Sequence, residues 1–149
     1  MRITRRLEFD AGHRIPHHES QCRHLHGHRY AIEVTVSGDV IVDDRDPEQG
    51  MVADFGGIKA LVQQHIVAPW DHAFLAYARD RVVLDFLATL PGHRTVTYEA
   101  PPTAEHLAAT ALRILAPAFA AAYGDRLHVE QVRIYETPNC WADAFRVEQ

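Results

Sequence analysis

Residues 26–36 read His-Gly-His-Arg-Tyr-Ala-Ile-Glu-Val-Thr-Val. Tyr30, Ile32, Val34 and Val36 fall on one parity, with Glu33, Thr35 and Ser37 on the other. Side chains alternate between faces along a strand, so this pattern predicts a β-strand with one buried face. His26 and His28 share the apolar parity. Both imidazoles are therefore expected to point inward, and Gly27 between them leaves room for another group to approach closely.

The segment before it, Arg2 to His13, alternates less cleanly. Ile3, Leu7, Phe9, Ala11 and His13 share one parity, with Arg5 the exception. If the two strands pair as a hairpin, His13 converges with His26 and His28. Three neutral imidazoles around an open position are the ligand set of a catalytic zinc site. The plain alternative is a group of buried histidines satisfied by backbone carbonyls. Cys22, in the polar stretch 14–25, is open to three readings: a fourth metal ligand, a base or nucleophile, or an inert small core residue. The Asp71-His72 dipeptide follows the end of an expected helix. Asp beside His can orient an imidazole, although such a pair is most often a solvated turn. Glu136 shares parity with Val132 and Ile134, so it either ends a strand in water or is buried against hydrogen-bond donors.

Further along, Val40-Ile-Val42 makes a short apolar run before an acidic turn. Asp54 is placed to cap a helix whose stripe is Ile58, Leu61, Val62 and Ile66, closed by Pro69. A shorter helix is expected over Arg81 to Leu90. A longer one follows from Ala104 to Ala122, with Thr103 as cap, Glu105 in the first turn, and Pro117 expected to kink or end it. Two strands finish the chain, near Leu127–Glu136 and Trp141–Val147, where Trp141, Phe145 and Val147 share a face. The expected fold class is α+β, a four-stranded antiparallel sheet with two main helices on one face. Open edges of so small a sheet are often covered by oligomerisation.

The chain of 149 residues suits one domain, residues 1–149. Its two cysteines, Cys22 and Cys140, are too few for a secreted disulfide scaffold. The N-terminal stretch lacks the apolar core of a signal peptide, and no run approaches the roughly 20 apolar residues of a membrane span. A net charge of −5 gives no general attraction to nucleic acid. A cytoplasmic protein with neither nucleic-acid nor membrane partners is therefore expected. Eleven histidines against one lysine, Lys59, is the compositional anomaly, and the residues singled out above absorb four of them.

Taken in order, the motifs resemble the 6-pyruvoyltetrahydropterin synthase/6-carboxytetrahydropterin synthase family. They are Phe9-Asp-Ala-Gly-His13-Arg, Cys22-x-x-x-His26-Gly-His28, Gly50-Met-Val-Ala-Asp54-Phe55, Asp71-His72, Pro102-Thr-Ala-Glu105 and Tyr135-Glu136-Thr137. The resemblance implies a tunnelling fold (T-fold) in a homo-oligomer, a hexamer, whose sheets close into a barrel with sites at subunit interfaces. It implies Zn2+ on His13, His26 and His28, and Cys22 as catalytic base activated by Asp71 and His72. It implies Glu136 as anchor of a pterin ring, with Thr103 and Glu105 near the substrate pocket. The implied substrate is 7,8-dihydroneopterin triphosphate. The Cys22–His26 spacing is similar to that of the carboxy-forming enzymes of deazapurine (queuosine) biosynthesis, which release acetaldehyde and triphosphate. Arg14, Arg23 and Arg29 surround the motif and are candidates for meeting the triphosphate. Two departures stand out: Gly12 where alanine is usual, and Leu75-Ala76 where Leu-Asn is usual. Residues 77–99 match the family least and read as an insertion. The competing readings are a pyruvoyl-forming enzyme on the same scaffold, a non-catalytic zinc or pterin binder, and a generic zinc hydrolase. The last would want a carboxylate near the metal motif, whereas Glu33 has outward parity.

Overall fold

The computed structural model describes residues 1–147. Strand β1 (Arg2–His13) and strand β2 (His26–Ser37) form the expected hairpin, with Phe9 opposite Tyr30, Ala11 opposite His28 and His13 opposite His26. The shared parity thereby becomes a shared face. Leu7, Phe9, Ala11 and His13 of β1 are buried on it with Tyr30, Ile32, Val34 and Val36 of β2. The opposite face carries polar pairs, among them Thr4–Thr35 at 2.8 Å and Arg6–Glu33 at 3.3 Å.

Helix α1 (Phe55–Val62) follows Asp54, whose side chain makes no capping bond. The helix does not close at Pro69. It passes through a π-helical stretch, Gln63–Val67, into α2 (Ala68–Trp70), and Pro69 sits in the first turn of that last segment, where a missing N–H is tolerated. Helix α3 (Arg81–Ala88) forms as expected. It lies between two short strands that were not expected, β3 (Ala73–Tyr77) and β4 (Thr95–Tyr98). Helix α4 (Ala104–Tyr123) continues through Pro117 without ending, because Leu115 and Phe119 on either side are fully buried against the sheet. Thr103 caps it, accepting from the His106 N–H at 3.4 Å. Strands β5 (His128–Thr137) and β6 (Cys140–Phe145) complete the chain. The Val40–Val42 run forms no strand; Ile41 closes a loop by bonding Gly50 and Met51.

The sheet therefore has six strands in the order β4-β3-β1-β2-β5-β6, not four. Strands β1, β2, β5 and β6 are the expected antiparallel set. Strand β3 pairs parallel to β1, and β4 parallel to β3, so the sheet is mixed. Residues 77–99 supply α3 and β4, which extend the sheet beyond β3 on the β1 side. Helices α1 and α4 lie on the one apolar face, where Ile58, Val62, Leu107, Ala111, Leu115 and Phe119 close the core. The stretch Ala104–Arg126 is long and apolar enough to cross a membrane by length and composition alone, which a search for uninterrupted apolar runs does not register. Its apolar stripe packs against β5 and β6.

Candidate functional site

The hairpin register delivers His13 directly opposite His26, and His28 one pleat further on the same face. His13 is 1% exposed, and its Nδ1–H donates to the Pro102 carbonyl at 2.8 Å. The His26 Nδ1–H donates to the His24 carbonyl at 2.7 Å. A neutral imidazole has one donor and one acceptor nitrogen, so in both rings the inward Nε2 is the acceptor. These two Nε2 atoms lie only 3.0 Å apart. The His28 Nε2 is buried without a hydrogen-bond partner. Burial holds His28 below the usual histidine range, which keeps its ring neutral.

Strand β5 brings in a fourth group. A register shift between Tyr135 and Thr137, where β5 meets β6, places Glu136 at an irregularity of the sheet. Such bulges re-aim side chains and are frequent beside active sites. The Glu136 Oε1 lies 3.0 Å from His13 Nε2 and 3.1 Å from His28 Nε2. The adjacent His13 ring, partly offset by burial, holds its carboxyl below the usual range. One ligand atom from each of His13, His26, His28 and Glu136 falls within 4.8 Å of every other. Converging lone pairs, a carboxylate and an orphaned buried nitrogen are the donor set of a divalent-metal site. The expected trio is thus assembled, with Glu136 among the ligand atoms.

Other candidates are distributed differently. Cys22 is half-buried in a short helical turn, Gln21–Arg23, whose carbonyl accepts from the Ile15 N–H at 2.8 Å. Burial raises the pKa of the Tyr30 phenol, and Cys22 is near enough to add to that effect. Asp71 and His72 sit beyond the start of β3. Asp71 accepts the Asp10 N–H at 2.9 Å and holds His72 Nδ1 at 2.9 Å. The Asp10 N–H and the His72 ring keep the Asp71 carboxyl below the usual range. His72 adopts φ 55°, a left-handed backbone rare outside glycine, and its N–H donates to the Asp10 carbonyl at 2.6 Å. Its ring lines a cleft with Asp10, Gly12, Arg29 and Phe74, on the polar side of the sheet. Among the described residues, no hydrogen bond joins Cys22 to the Asp71–His72 pair.

Thr103 reaches the metal ligands only indirectly. It caps α4 next to Pro102, whose carbonyl orients His13. Glu105 is exposed and lines the groove between α4 and β6 with Leu112 and Phe145. Of the three arginines, Arg14 is clamped on Asp80 by bonds of 2.6 and 2.7 Å, and Arg29 pairs with Asp10 at 3.1 Å. Both guanidiniums are thus paired with carboxylates, and Arg23 is exposed. Sequence reasoning missed the two orienting carbonyls, of Pro102 and His24, because every residue carries a carbonyl. The Pro101-Pro102 pair before the α4 cap was the available signal.

A chain that mounts three histidines and a carboxylate on one face of a T-fold sheet has counterparts among known proteins. The family model described as 6-pyruvoyl tetrahydropterin synthase (PTPS) matches residues 2–146. A 6-carboxy-5,6,7,8-tetrahydropterin synthase of Rickettsia bellii is 33% identical over 143 residues, 96% of this chain and 99% of that protein. A solved structure of an uncharacterized protein from Wolinella succinogenes superposes with a TM-score of 0.75 at 21% identity, covering 99% of this chain and 98% of the other. A catalytic-residue mutant of Plasmodium vivax 6-pyruvoyltetrahydropterin synthase gives 0.71 at 19% identity, covering 98% of each chain. The chain belongs to the 6-pyruvoyl tetrahydropterin synthase family.

Proposed function

We propose that this chain is a 6-carboxy-5,6,7,8-tetrahydropterin synthase. It converts 7,8-dihydroneopterin triphosphate to the carboxytetrahydropterin with loss of triphosphate and acetaldehyde, as a step toward deazapurines. The observation that carries the reading is the convergence of three imidazole Nε2 atoms in a chain that aligns over 96% of its length with a relative of that name. His13, His26 and His28 fit Zn2+, whose Lewis acidity would lower the pKa of the substrate's side-chain hydroxyls. Cys22 moves the proton and Glu136 accepts the ring N–H groups. Asp71 orients His72 through the 2.9 Å contact. The ring is reduced as the side chain is oxidised, so no external redox partner takes part.

The Asp71–His72 pair opens to the polar sheet face, and among the described residues no hydrogen bond joins it to Cys22. This supports a site completed between subunits of a homo-oligomer, the hexamer of the resemblance, with the pair of one chain meeting the cysteine of another. Exposed Trp141, Phe145 and Val147 near the β6 edge supply apolar surface for such an assembly. The test is a product assay on purified protein with 7,8-dihydroneopterin triphosphate. Carboxytetrahydropterin and acetaldehyde are expected in equal amounts. Pyruvoyltetrahydropterin without acetaldehyde would replace this reading with the pyruvoyl-forming enzyme, and pterin binding without turnover would replace it with a binding protein.

A further inference from the structure

Glu136 was expected to meet a pterin ring, yet its Oε1 lies 3.0 Å from His13 Nε2 and 3.1 Å from His28 Nε2. The His13 Nδ1–H is committed to the Pro102 carbonyl, so the neutral ring turns its Nε2 lone pair toward Glu136 and also toward His26 Nε2. Three acceptors in contact are mutually repulsive unless a cation lies among them. The carboxylate stands as close to the meeting point as the imidazoles do.

Zinc sites with four protein ligands are closed, whereas catalytic ones keep a position for water or substrate. Glu136 differs from His13 in its freedom to leave. His13 is 1% exposed and pinned by Pro102, while the Glu136 side chain is 24% exposed and sits at the β5–β6 irregularity beside exposed Pro138 and Asn139.

We infer that Glu136 is the fourth metal ligand of the substrate-free protein, and that it leaves the metal to accept the N–H donors of the heterocycle. Ring capture and the opening of a coordination position are then one event. A molecule lacking the ring meets a closed metal, which guards the site against adventitious hydroxyl compounds. This rests on the metal reading above.

Cobalt(II) reports its ligands through its visible absorption and replaces zinc in N/O sites. Wild-type protein, Glu136→Ala and Glu136→Gln are loaded with cobalt(II), and metal affinity is measured by chelator competition. Circular dichroism of the metal-free variants checks folding, with Gln as the shape-preserving substitution. Metal affinity is expected to fall at least about 10-fold in both variants, with altered visible bands. A pterin without side-chain hydroxyls, 6,7-dimethyl-7,8-dihydropterin, is expected to move the wild-type bands toward those of Glu136→Ala and to leave that variant's bands in place. Cobalt binding abolished by His26→Ala but unchanged in affinity and spectrum by either Glu136 variant would overturn the inference and leave the metal reading intact. Wild-type bands that ignore the pterin would overturn the release step. Failure of the wild type to bind any metal would remove the metal reading itself.

Discussion

The Nε2 atoms of His13 and His26 stand 3.0 Å apart while each ring gives its Nδ1–H to a backbone carbonyl. Carbonyl acceptors fix the tautomer, and the tautomer aims two lone pairs at one point. Such an arrangement stores repulsion until a cation fills it. Metal binding to the folded state is therefore expected to stabilise the whole domain. At 100 times the dissociation constant the gain is about 2.7 kcal/mol, or roughly 5–10 °C in Tm for a chain of this size. Thermal melts with zinc and with excess chelator check this. A Tm indifferent to both would remove the metal site.

Arg14 and Asp80 tie the end of β1 to the turn before α3, through a bidentate pair with side-chain exposures of 23% and 5%. Breaking such a pair strands a buried charge at about 3–5 kcal/mol, and partial exposure of Arg14 lowers the expectation for Asp80→Ala to about 2–3 kcal/mol. The hydrogen bond from Arg14 holds the Asp80 carboxyl below the usual carboxylate range. Its stabilisation is thus fully present above the unfolded-state pKa and is lost as pH falls through the lower folded-state value. The gap in unfolding free energy between wild type and Asp80→Ala should be constant from about pH 5 upward and should shrink below about pH 4. Urea titrations across that range test it, and a gap that widens in acid would contradict the assigned pair.

What the sequence made legible follows from the length and regularity of each signal. Strands β1 and β2 are 12 residues each, and their alternation survives one exception at Arg5. The histidine trio was legible for the same reason, since parity alone placed all three on one face. Strand β3 has 5 residues without alternation, β4 alternates over only 4, and their parallel partners are separated from them by long stretches of chain. Nothing local distinguishes such segments from loops. Pro117 does not end its helix because the burial of Leu115 and Phe119 outweighs one missing helical bond. The π-helical turn at Gln63–Val67 leaves the apolar stripe nearly unchanged, so Pro69 looked like an end. For the arginines, proximity in sequence said nothing of the carboxylates that occupy Arg14 and Arg29.

Gly12 stands opposite Gly27 in the hairpin, and a Cβ on it would meet the Phe74 ring at 2.9 Å. The departure from the family's usual alanine therefore has a partner in the adjacent strand. Gly12→Ala is expected to cost about 1–3 kcal/mol through overpacking, and Phe74→Leu to recover part of it. A double-mutant cycle in urea measures the coupling. Strict additivity would show that Phe74 moves aside freely.

A site shared between subunits makes a prediction about mixtures. Cys22→Ala and His72→Ala are each expected to lose nearly all turnover, since general acid–base groups contribute about 100- to 10,000-fold. If each site takes its cysteine from one chain and its Asp–His pair from another, subunits of the two variants, unfolded together and refolded in equal amounts, form some sites with both groups intact. Random assembly restores about a quarter of wild-type activity per site. If both groups came from one chain, every site in the mixture would carry a defect, and activity would stay at the level of the parents. Gel filtration before and after mixing confirms that subunits have exchanged into one assembly, so a negative result counts against the shared site.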